Sequence, residues 1–162
     1  MLDKQRHTSV NVSESAPIRK RGAAKGSAPG KTRKRKQSSP SLKRSVLIVD
    51  DVPDVTEMIG LFLKHAGYEV ATADSGTAAL QLANERAFDV VISDIGMPEM
   101  NGCELAASLR RRVEYQNTPI IAVTGFSEYD NWEFTWQAGF NAQLTKPIDP
   151  SELLQLIDEL LG

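Results

Sequence analysis

The stretch DVVISDIGMPEMNG, residues 89–102, decides the fold. Its first part, Asp89–Ser93, is a short, mostly apolar and β-branched run, which predicts a strand buried on both faces. Asp94 follows that run, and Pro98 and Gly102 mark a loop beyond it. In open α/β sheets the ligand-binding residues follow the carboxyl ends of the strands, so Asp94 is a candidate functional residue.

Further apolar runs flank this strand and alternate with amphipathic stretches. The five predicted strands are Ser45–Val49, Tyr68–Thr72, Asp89–Ser93, Pro119–Val123 and Phe140–Thr145. Helices are predicted at Asp54–Ala66, from Ser75 to about Arg86, from the loop at 94–102 to about Arg112, at about Glu128–Ala138, and after Asp149. This alternation predicts an α/β fold with a doubly wound, five-stranded parallel sheet and helices on both faces.

The charge distribution divides the chain near residue 45. The 162 residues carry a net charge of −2, but residues 1–45 hold 13 basic and two acidic side chains, whereas the remainder holds six basic and 19 acidic ones. Residues 1–44 are rich in Ser, Pro, Gly, Lys and Arg and lack aromatic residues. Such a segment buries too little apolar surface to offset its ordering entropy. We therefore predict a disordered basic tail at 1–44 and a globular domain at 45–162.

Composition also indicates the cellular setting. No apolar run approaches the roughly 20 residues of a membrane span, and no apolar core of a signal peptide is present at the N-terminus. The single cysteine, Cys103, has no partner for an intramolecular disulfide. These observations favour a cytoplasmic location without membrane attachment.

Polar residues follow four of the five predicted strands. Asp50 and Asp51 follow the first, Asp94 the third, Thr124 the fourth and Lys146 the fifth. Because the carboxyl ends of parallel strands meet at one edge of a sheet, we expect these side chains to converge. Clustered carboxylates repel one another and raise each other's pKa. Mg²⁺ prefers oxygen ligands and would remove that repulsion, so a magnesium site is predicted.

These residue types suit the transfer of a phosphoryl group. A carboxylate acts as a nucleophile and forms an acyl phosphate, and the transferred group then needs positioning and charge neutralisation. Asp94 is the predicted nucleophile because it lies on the central strand, between the acidic pair and the other two residues. Thr124 would donate a hydrogen bond to a phosphoryl oxygen, and Lys146 would supply a point charge.

The globular part resembles the receiver domain of two-component response regulators. The resemblance rests on four stretches: VLIVDD (46–51), DVVISDIGMPEMNG (89–102), IIAVTG (120–125) and LTKPID (144–149). It implies a flavodoxin-like sheet with the strand order 2-1-3-4-5 and a cis peptide bond between Lys146 and Pro147. In sheets of this order, ligands bind at the switch point between the first and third strands.

The resemblance also implies roles for the site residues. Mg²⁺ would be held by Asp50, Asp51, Asp94 and the backbone carbonyl of Gly96. Asp94 would receive its phosphoryl group from a histidine kinase or a histidine phosphotransfer protein, and Thr124 and Lys146 would contact that group. Such a chain is a signalling switch that catalyses only its own phosphorylation and dephosphorylation. Its output would be a contact with another protein.

Gln143 departs from the pattern of many receivers, which carry Tyr or Phe three residues before the lysine. In those receivers the aromatic ring rotates inward on activation. Receivers attached to hybrid histidine kinases often depart at this position too. An amide is able to hydrogen-bond with Thr124, so phosphorylation is still predicted, whereas the mechanism of output is left open.

Two other functions remain open. The run KTRKRK (31–36) suits electrostatic binding of nucleic acid, so the basic tail is an alternative effector that the receiver would gate. A solvated tail without a partner is the competing interpretation. The other function is that of a phosphohydrolase with an aspartate nucleophile, but those enzymes carry a second acid two residues after the nucleophile. This chain has Gly96 there.

The helix predicted at about Glu128–Ala138 has apolar residues on two faces. At about 100° per residue, Trp132 and Trp136 fall close together, and Phe134 and Ala138 lie on roughly the opposite side. Ala138 runs directly into the fifth strand, so we expect Phe134 and Ala138 to face the sheet and the tryptophans to face outward. Exposed tryptophans are good interface anchors, which predicts a surface for an output protein or for self-association.

Overall fold

The computed structural model describes residues 42–125 and 132–162. The strands are β1 (Ser45–Val49), β2 (Glu69–Ala73), β3 (Val90–Asp94), β4 (Ile120–Thr124) and β5 (Ala142–Thr145). The helices are α1 (Pro53–His65), α2 (Gly76–Glu85), α3 (Gly102–Arg110), α4 (Trp132–Ala138) and α5 (Pro150–Leu161). A 3₁₀ turn, which the apolar pattern did not predict, covers Val113–Tyr115. No helix within these two ranges is long and apolar enough to cross a membrane.

The strands form one parallel sheet in the order β2-β1-β3-β4-β5, which confirms the predicted topology. Both central strands, β3 and β4, are buried along their whole length, as their continuous apolar runs predicted. The register pairs Asp94 with Val123 and Thr124 with Thr145. The last residues of β3 and β4 therefore lie at the same edge of the sheet.

Apolar side chains pack on both faces of the sheet. Successive residues of a strand point to opposite faces, so β1 contributes Leu47 to one cluster and Ile48 to the other. The first cluster packs against α2 and α3 and includes Leu47, Val49, Val91, Ile120, Leu105 and Leu109. The second packs against α1 and α5 and includes Val46, Ile48, Ile92, Ile121, Leu63 and Ile157. Four helices thus hold the sheet from two sides and fix the ends of its strands.

Capping side chains set the boundaries of several helices. The Ser75 hydroxyl accepts from a backbone N–H at the start of α2, and the Asp149 carboxylate accepts from two backbone N–H groups at the start of α5. Gly67 has φ of 100°, a conformation that glycine adopts readily, at the turn after α1. At the start of α3, Asn101 and Glu104 form a capping box, in which each side chain accepts from the other residue's backbone N–H.

The link between β5 and α5 contains the cis Lys146–Pro147 peptide bond, as the resemblance implied. The backbone N–H of Lys146 donates to the Thr124 carbonyl at 2.7 Å, so pairing with β4 continues one residue past β5. This bond holds the lysine at the end of the strand beside Thr124.

Helix α4 differs from its prediction in one respect. Trp132 and Trp136 are exposed, as expected, but Phe134 is exposed too, so its assignment to the inner face was wrong. Thr135 is buried instead, and Ala138 packs against the core. Residues three apart share a helix face, and here that inner face is formed by Thr135 and Ala138. Space beneath α4 is filled by two small side chains, which leaves the larger Phe134 outside.

The predicted start of this helix, at about residue 128, lies outside the described residues, as do residues 1–41 of the predicted basic tail. The tail, the domain boundary near residue 45 and the nucleic-acid alternative therefore stay predictions. Residues 42–44, at the C-terminal end of the predicted tail, are exposed and lead directly into β1.

Candidate functional site

The carboxyl ends of β1, β3, β4 and β5 surround one cleft of about 340 Å³. The cleft is lined by Asp51, Val52, Asp94, Ile95, Gly96, Thr124, Gly125 and Lys146. Asp50 is buried, and its carboxylate accepts a hydrogen bond from Lys146, one of the lining residues. The structure thus brings together all six residues that the sequence nominated for the site, including Gly96.

The two acidic residues after β1 differ in their surroundings. Asp50 is only 3% exposed, and its Oδ1 accepts from the backbone N–H of Val52 at 2.9 Å. Its own backbone N–H donates to the Ala73 carbonyl of β2, so both the main chain and the carboxylate are held. Asp51 is exposed and lines the cleft. One carboxylate is therefore fixed and buried, and the other faces solvent.

Lys146 bridges two of the acids. Its Nζ lies 2.9 Å from Oδ2 of Asp50 and 3.4 Å from Oδ1 of Asp94. Burial by itself lowers the pKa of Lys146, but the hydrogen bond to Asp50 and the negative charge of Asp94 outweigh burial, so the pKa is raised above its usual value. The ammonium therefore stays charged at neutral pH.

Asp94 is in the opposite electrostatic position. Burial raises the pKa of its carboxyl, and the negative charge of Asp50 raises it further, while Lys146 opposes both effects only in part. Ionised Asp94 is thus less stable here than in water. One ammonium does not neutralise the negative charge of Asp50, Asp51 and Asp94 at this edge of the sheet.

This excess of negative charge fits a divalent cation. One carboxylate oxygen from each of Asp50, Asp51 and Asp94 can be chosen so that all three lie within 4.8 Å of one another. Carboxylates are the ligands that Mg²⁺ prefers, and the open cleft leaves room for water and phosphate oxygens in its remaining positions. The donor set therefore suits Mg²⁺.

Thr124 connects the cleft to α4 through polar side chains. It is 2% exposed, and its Oγ1 accepts from Nε2 of Gln143 at 3.5 Å. On the far side of the amide, the Thr135 hydroxyl donates to Oε1 of Gln143 at 3.2 Å. Sequence reasoning singled out Thr124 and Gln143 but missed Thr135. The available signal was a polar residue on the same helix face as Ala138.

Comparison with known proteins identifies the family. The model of the response regulator receiver domain matches residues 46–158. The chemotaxis response regulator CheY4 of Vibrio cholerae superposes with a TM-score of 0.69 at 36% sequence identity, covering 73% of this chain and 98% of that protein. The fold of this chain is thus found in a response regulator of known structure.

Two further proteins are similar over nearly their whole length. The polar-differentiation response regulator DivK of Brucella ovis is 33% identical over 121 residues, which are 75% of this chain and 98% of DivK. The receiver domain of the sensor histidine kinase PA1611 from Pseudomonas aeruginosa has a TM-score of 0.68 at 28% identity, covering 74% of this chain and 98% of that domain. Its structure has a magnesium ion coordinated in the active-site cleft. The chain described here belongs to the response regulator receiver domain family.

Proposed function

We propose that this chain is the phosphoacceptor of a two-component phosphorelay and is phosphorylated on Asp94 with Mg²⁺ bound. The observation that carries the proposal is the arrangement of Asp50, Asp51, Asp94, Thr124 and Lys146 around one cleft. Receiver domains are signalling modules that bind Mg²⁺ at an acidic site. The charge and geometry of this cleft support the same role here.

In the proposed reaction, a carboxylate oxygen of Asp94 attacks the phosphorus atom of a phosphohistidine. The new P–O bond makes an acyl phosphate, the P–N bond to the histidine breaks, and the imidazole leaves. The Nζ of Lys146 lies 3.4 Å from Oδ1 of Asp94, so the lysine would contact the transferred phosphoryl group and neutralise part of its charge. Thr124 would donate its hydroxyl hydrogen to a phosphoryl oxygen.

Asp50, Asp51 and Asp94 would hold Mg²⁺, with the backbone carbonyl of Gly96 as a further ligand. When bound, the ion neutralises carboxylate and phosphoryl oxygens together. For this purpose the protein would supply the buried carboxylate of Asp50 and the exposed carboxylate of Asp51. Asp94 then reacts in an environment with less negative charge than the metal-free site has.

The phosphoryl donor would be a histidine kinase or a histidine phosphotransfer protein. One structural relative is the receiver domain of the sensor histidine kinase PA1611, which supports this class of donor. We propose that the receiver occupies residues 45–162, that it works in the cytoplasm, and that it signals by contact with another protein. Its only catalysis would be its own phosphorylation and dephosphorylation.

Labelling with radioactive acetyl phosphate tests the proposal. With Mg²⁺ present, the chain is expected to take up label as an acyl phosphate, which hydroxylamine removes, and excess EDTA is expected to prevent uptake. Restoring Mg²⁺ after chelation should restore the rate, which controls for damage by EDTA. Label that resists hydroxylamine, or uptake that is equally fast without Mg²⁺, would contradict phosphorylation at this acidic site.

The exposed tryptophans of α4 support a proposal about output. Trp132 and Trp136 are 42% and 58% exposed, and their ring centroids lie 5.7 Å apart. Large aromatic side chains that remain exposed side by side are typical of interface anchors. We propose that this pair contacts an output protein or a second copy of the chain.

If the partner is a second copy, replacing both tryptophans with alanine is expected to abolish self-association while the unfolding temperature changes by only a few degrees, since both rings are exposed. Sedimentation velocity with acetyl phosphate and Mg²⁺ would measure association, and thermal unfolding would measure stability. Val113→Ala is the matched control, because Val113 is an exposed apolar residue outside α4. A large loss of stability with unchanged association would show that the tryptophans are core residues.

A further inference from the structure

Thr135 is a polar residue on the one face of α4 that is buried. Its side chain is 0% exposed, while Trp132, Phe134 and Trp136 of the same helix are exposed. Burying a hydroxyl is unfavourable unless it forms hydrogen bonds. The single hydrogen of the Thr135 hydroxyl has two acceptors within reach, the carbonyl of Trp132 at 3.0 Å and Oε1 of Gln143 at 3.2 Å. These acceptors compensate for the burial of the Thr135 hydroxyl beneath α4.

The contact with Thr135 orients the amide of Gln143. With Oε1 accepting from Thr135, the NH₂ group of Gln143 faces Thr124, and Nε2 lies 3.5 Å from Oγ1. An amide NH₂ group only donates, so Thr124 offers it a lone pair and keeps its own hydrogen. The reversed amide would present an acceptor to Thr124 and capture that hydrogen.

We propose that Gln143 and Thr135 are positioning residues for the phosphoryl-transfer reaction. Thr135 holds the amide of Gln143 in one orientation, and this orientation leaves the hydroxyl hydrogen of Thr124 free to point into the cleft. The proposal rests on the proposed function, in which Thr124 donates that hydrogen to a phosphoryl oxygen. It assigns to an amide and a buried threonine the task of preparing that donor before the phosphoryl group arrives.

The test is the initial rate of labelling by radioactive acetyl phosphate at saturating Mg²⁺. Thr135→Val keeps the shape of the side chain but removes the hydroxyl, and Gln143→Met keeps the length but removes the amide. Each is expected to slow labelling about three- to tenfold, the effect of one neutral hydrogen bond. Thr135→Ser restores the hydroxyl and is expected to stay within about twofold of the wild-type rate.

Double variants separate positioning from a general structural role. In a Thr124→Ala background no hydroxyl remains to be oriented, so Thr135→Val and Gln143→Met are expected to cause no further loss of rate. Thr135→Val combined with Gln143→Met is expected to be no slower than either single variant, because both act through the same donor. Mg²⁺ affinity should match that of the wild type in all of these variants except any that unfold, which thermal unfolding identifies.

The outcomes distinguish this proposal from the proposed function. Failure of the wild-type chain to label, or undiminished labelling of Asp94→Asn, would overturn the proposed function itself. With labelling on Asp94 intact, wild-type rates in folded Thr135→Val and Gln143→Met would overturn the positioning role, with the Thr135 hydrogen then assigned to the Trp132 carbonyl. If Thr135→Val and Gln143→Met slowed labelling equally in the wild-type and Thr124→Ala backgrounds, the positioning role would be overturned too, because their effect would not depend on the Thr124 hydroxyl.

Discussion

Asp94→Asn is expected to take up no label from acetyl phosphate under conditions in which the wild-type chain is fully labelled. An asparagine amide is a poor nucleophile and forms no acyl phosphate. Asp74→Asn is the matched control, because Asp74 is an exposed carboxylate just after β2, at the same edge of the sheet. Measured labelling of the control should equal that of the wild type. Undiminished labelling of Asp94→Asn would show that another residue accepts the phosphoryl group.

The same variant has a second expected effect, on stability without Mg²⁺. Burial and the charge of Asp50 raise the pKa of Asp94, so ionising this group works against folding. The contribution of Asp94 is most favourable below about pH 3.9, the ordinary aspartate pKa, and is lost as pH rises through its raised pKa in the folded chain. At neutral pH, replacing it with a neutral amide should therefore raise the unfolding temperature by a few degrees.

Thermal unfolding in EDTA at several pH values measures this effect. The difference between Asp94→Asn and the wild type is expected to be largest near neutral pH and to shrink as pH falls toward the ordinary aspartate range. Saturating Mg²⁺ should also shrink it, because the ion stabilises the wild-type carboxylate and has one ligand fewer in the variant. A variant that is less stable than the wild type in EDTA at pH 7 would contradict the electrostatic account.

The sheet and its functional edge were predictable because their signals are local and redundant. Uninterrupted apolar runs, VLIV, VVI and IIAV, form most of β1, β3 and β4, which is typical of strands buried on both faces of a parallel sheet. A polar residue just after such a run must lie at the carboxyl edge, whatever the details of packing. Asp94, Thr124 and Lys146 were therefore placed correctly although β2 and β5 begin one and two residues later than predicted.

The inner face of α4 was not predictable from the same reasoning. Hydrophobicity favoured burying Phe134, but the space beneath the helix is occupied by Thr135 and Ala138. Thr135 contacts the Gln143 side chain of β5, a polar contact with a different element of the structure. Periodicity within one helix carries no information about such a contact.

Arg110, the last residue of α3, was missed for a similar reason. In the sequence it is one of three consecutive arginines and looks like part of a solvated helix end. In the structure its guanidinium donates to Gly139 O at 2.7 Å, to Thr118 O at 2.7 Å and to Oδ1 of Asn141 at 2.7 Å. Further acceptors are the carbonyls of Tyr115 and Gln116. One side chain therefore ties the segment before β4 to the turn between α4 and β5.

The packing around this guanidinium is close. A Cβ atom added at Gly139 would lie 2.7 Å from Cγ of Arg110, and Gly139 has φ of 113°, so glycine is required there on both counts. Asn141 uses the same Oδ1 to accept from the backbone N–H of Ile120, the first residue of β4. Burial lowers the pKa of Arg110, and within the described residues its hydrogen-bond acceptors are carbonyl and amide oxygens rather than carboxylates.

Arg110→Met is therefore expected to lower the free energy of unfolding by about 3 kcal/mol or more, because several partly buried acceptors lose their donor at once. The unfolding temperature should fall by about 10 °C.

Arg111→Met is the matched control, since the neighbouring Arg111 is exposed and bonds only to the Ser108 hydroxyl among the contacts described. Arg110→Lys keeps the charge but not the planar fork, so its loss should be intermediate. Because Arg110 lies at the opposite edge of the sheet from Asp94, labelling by acetyl phosphate well below the unfolding temperature should stay near the wild-type rate. Equal stability of the Arg110→Met and Arg111→Met variants in urea unfolding would show that water replaces the guanidinium at these carbonyls.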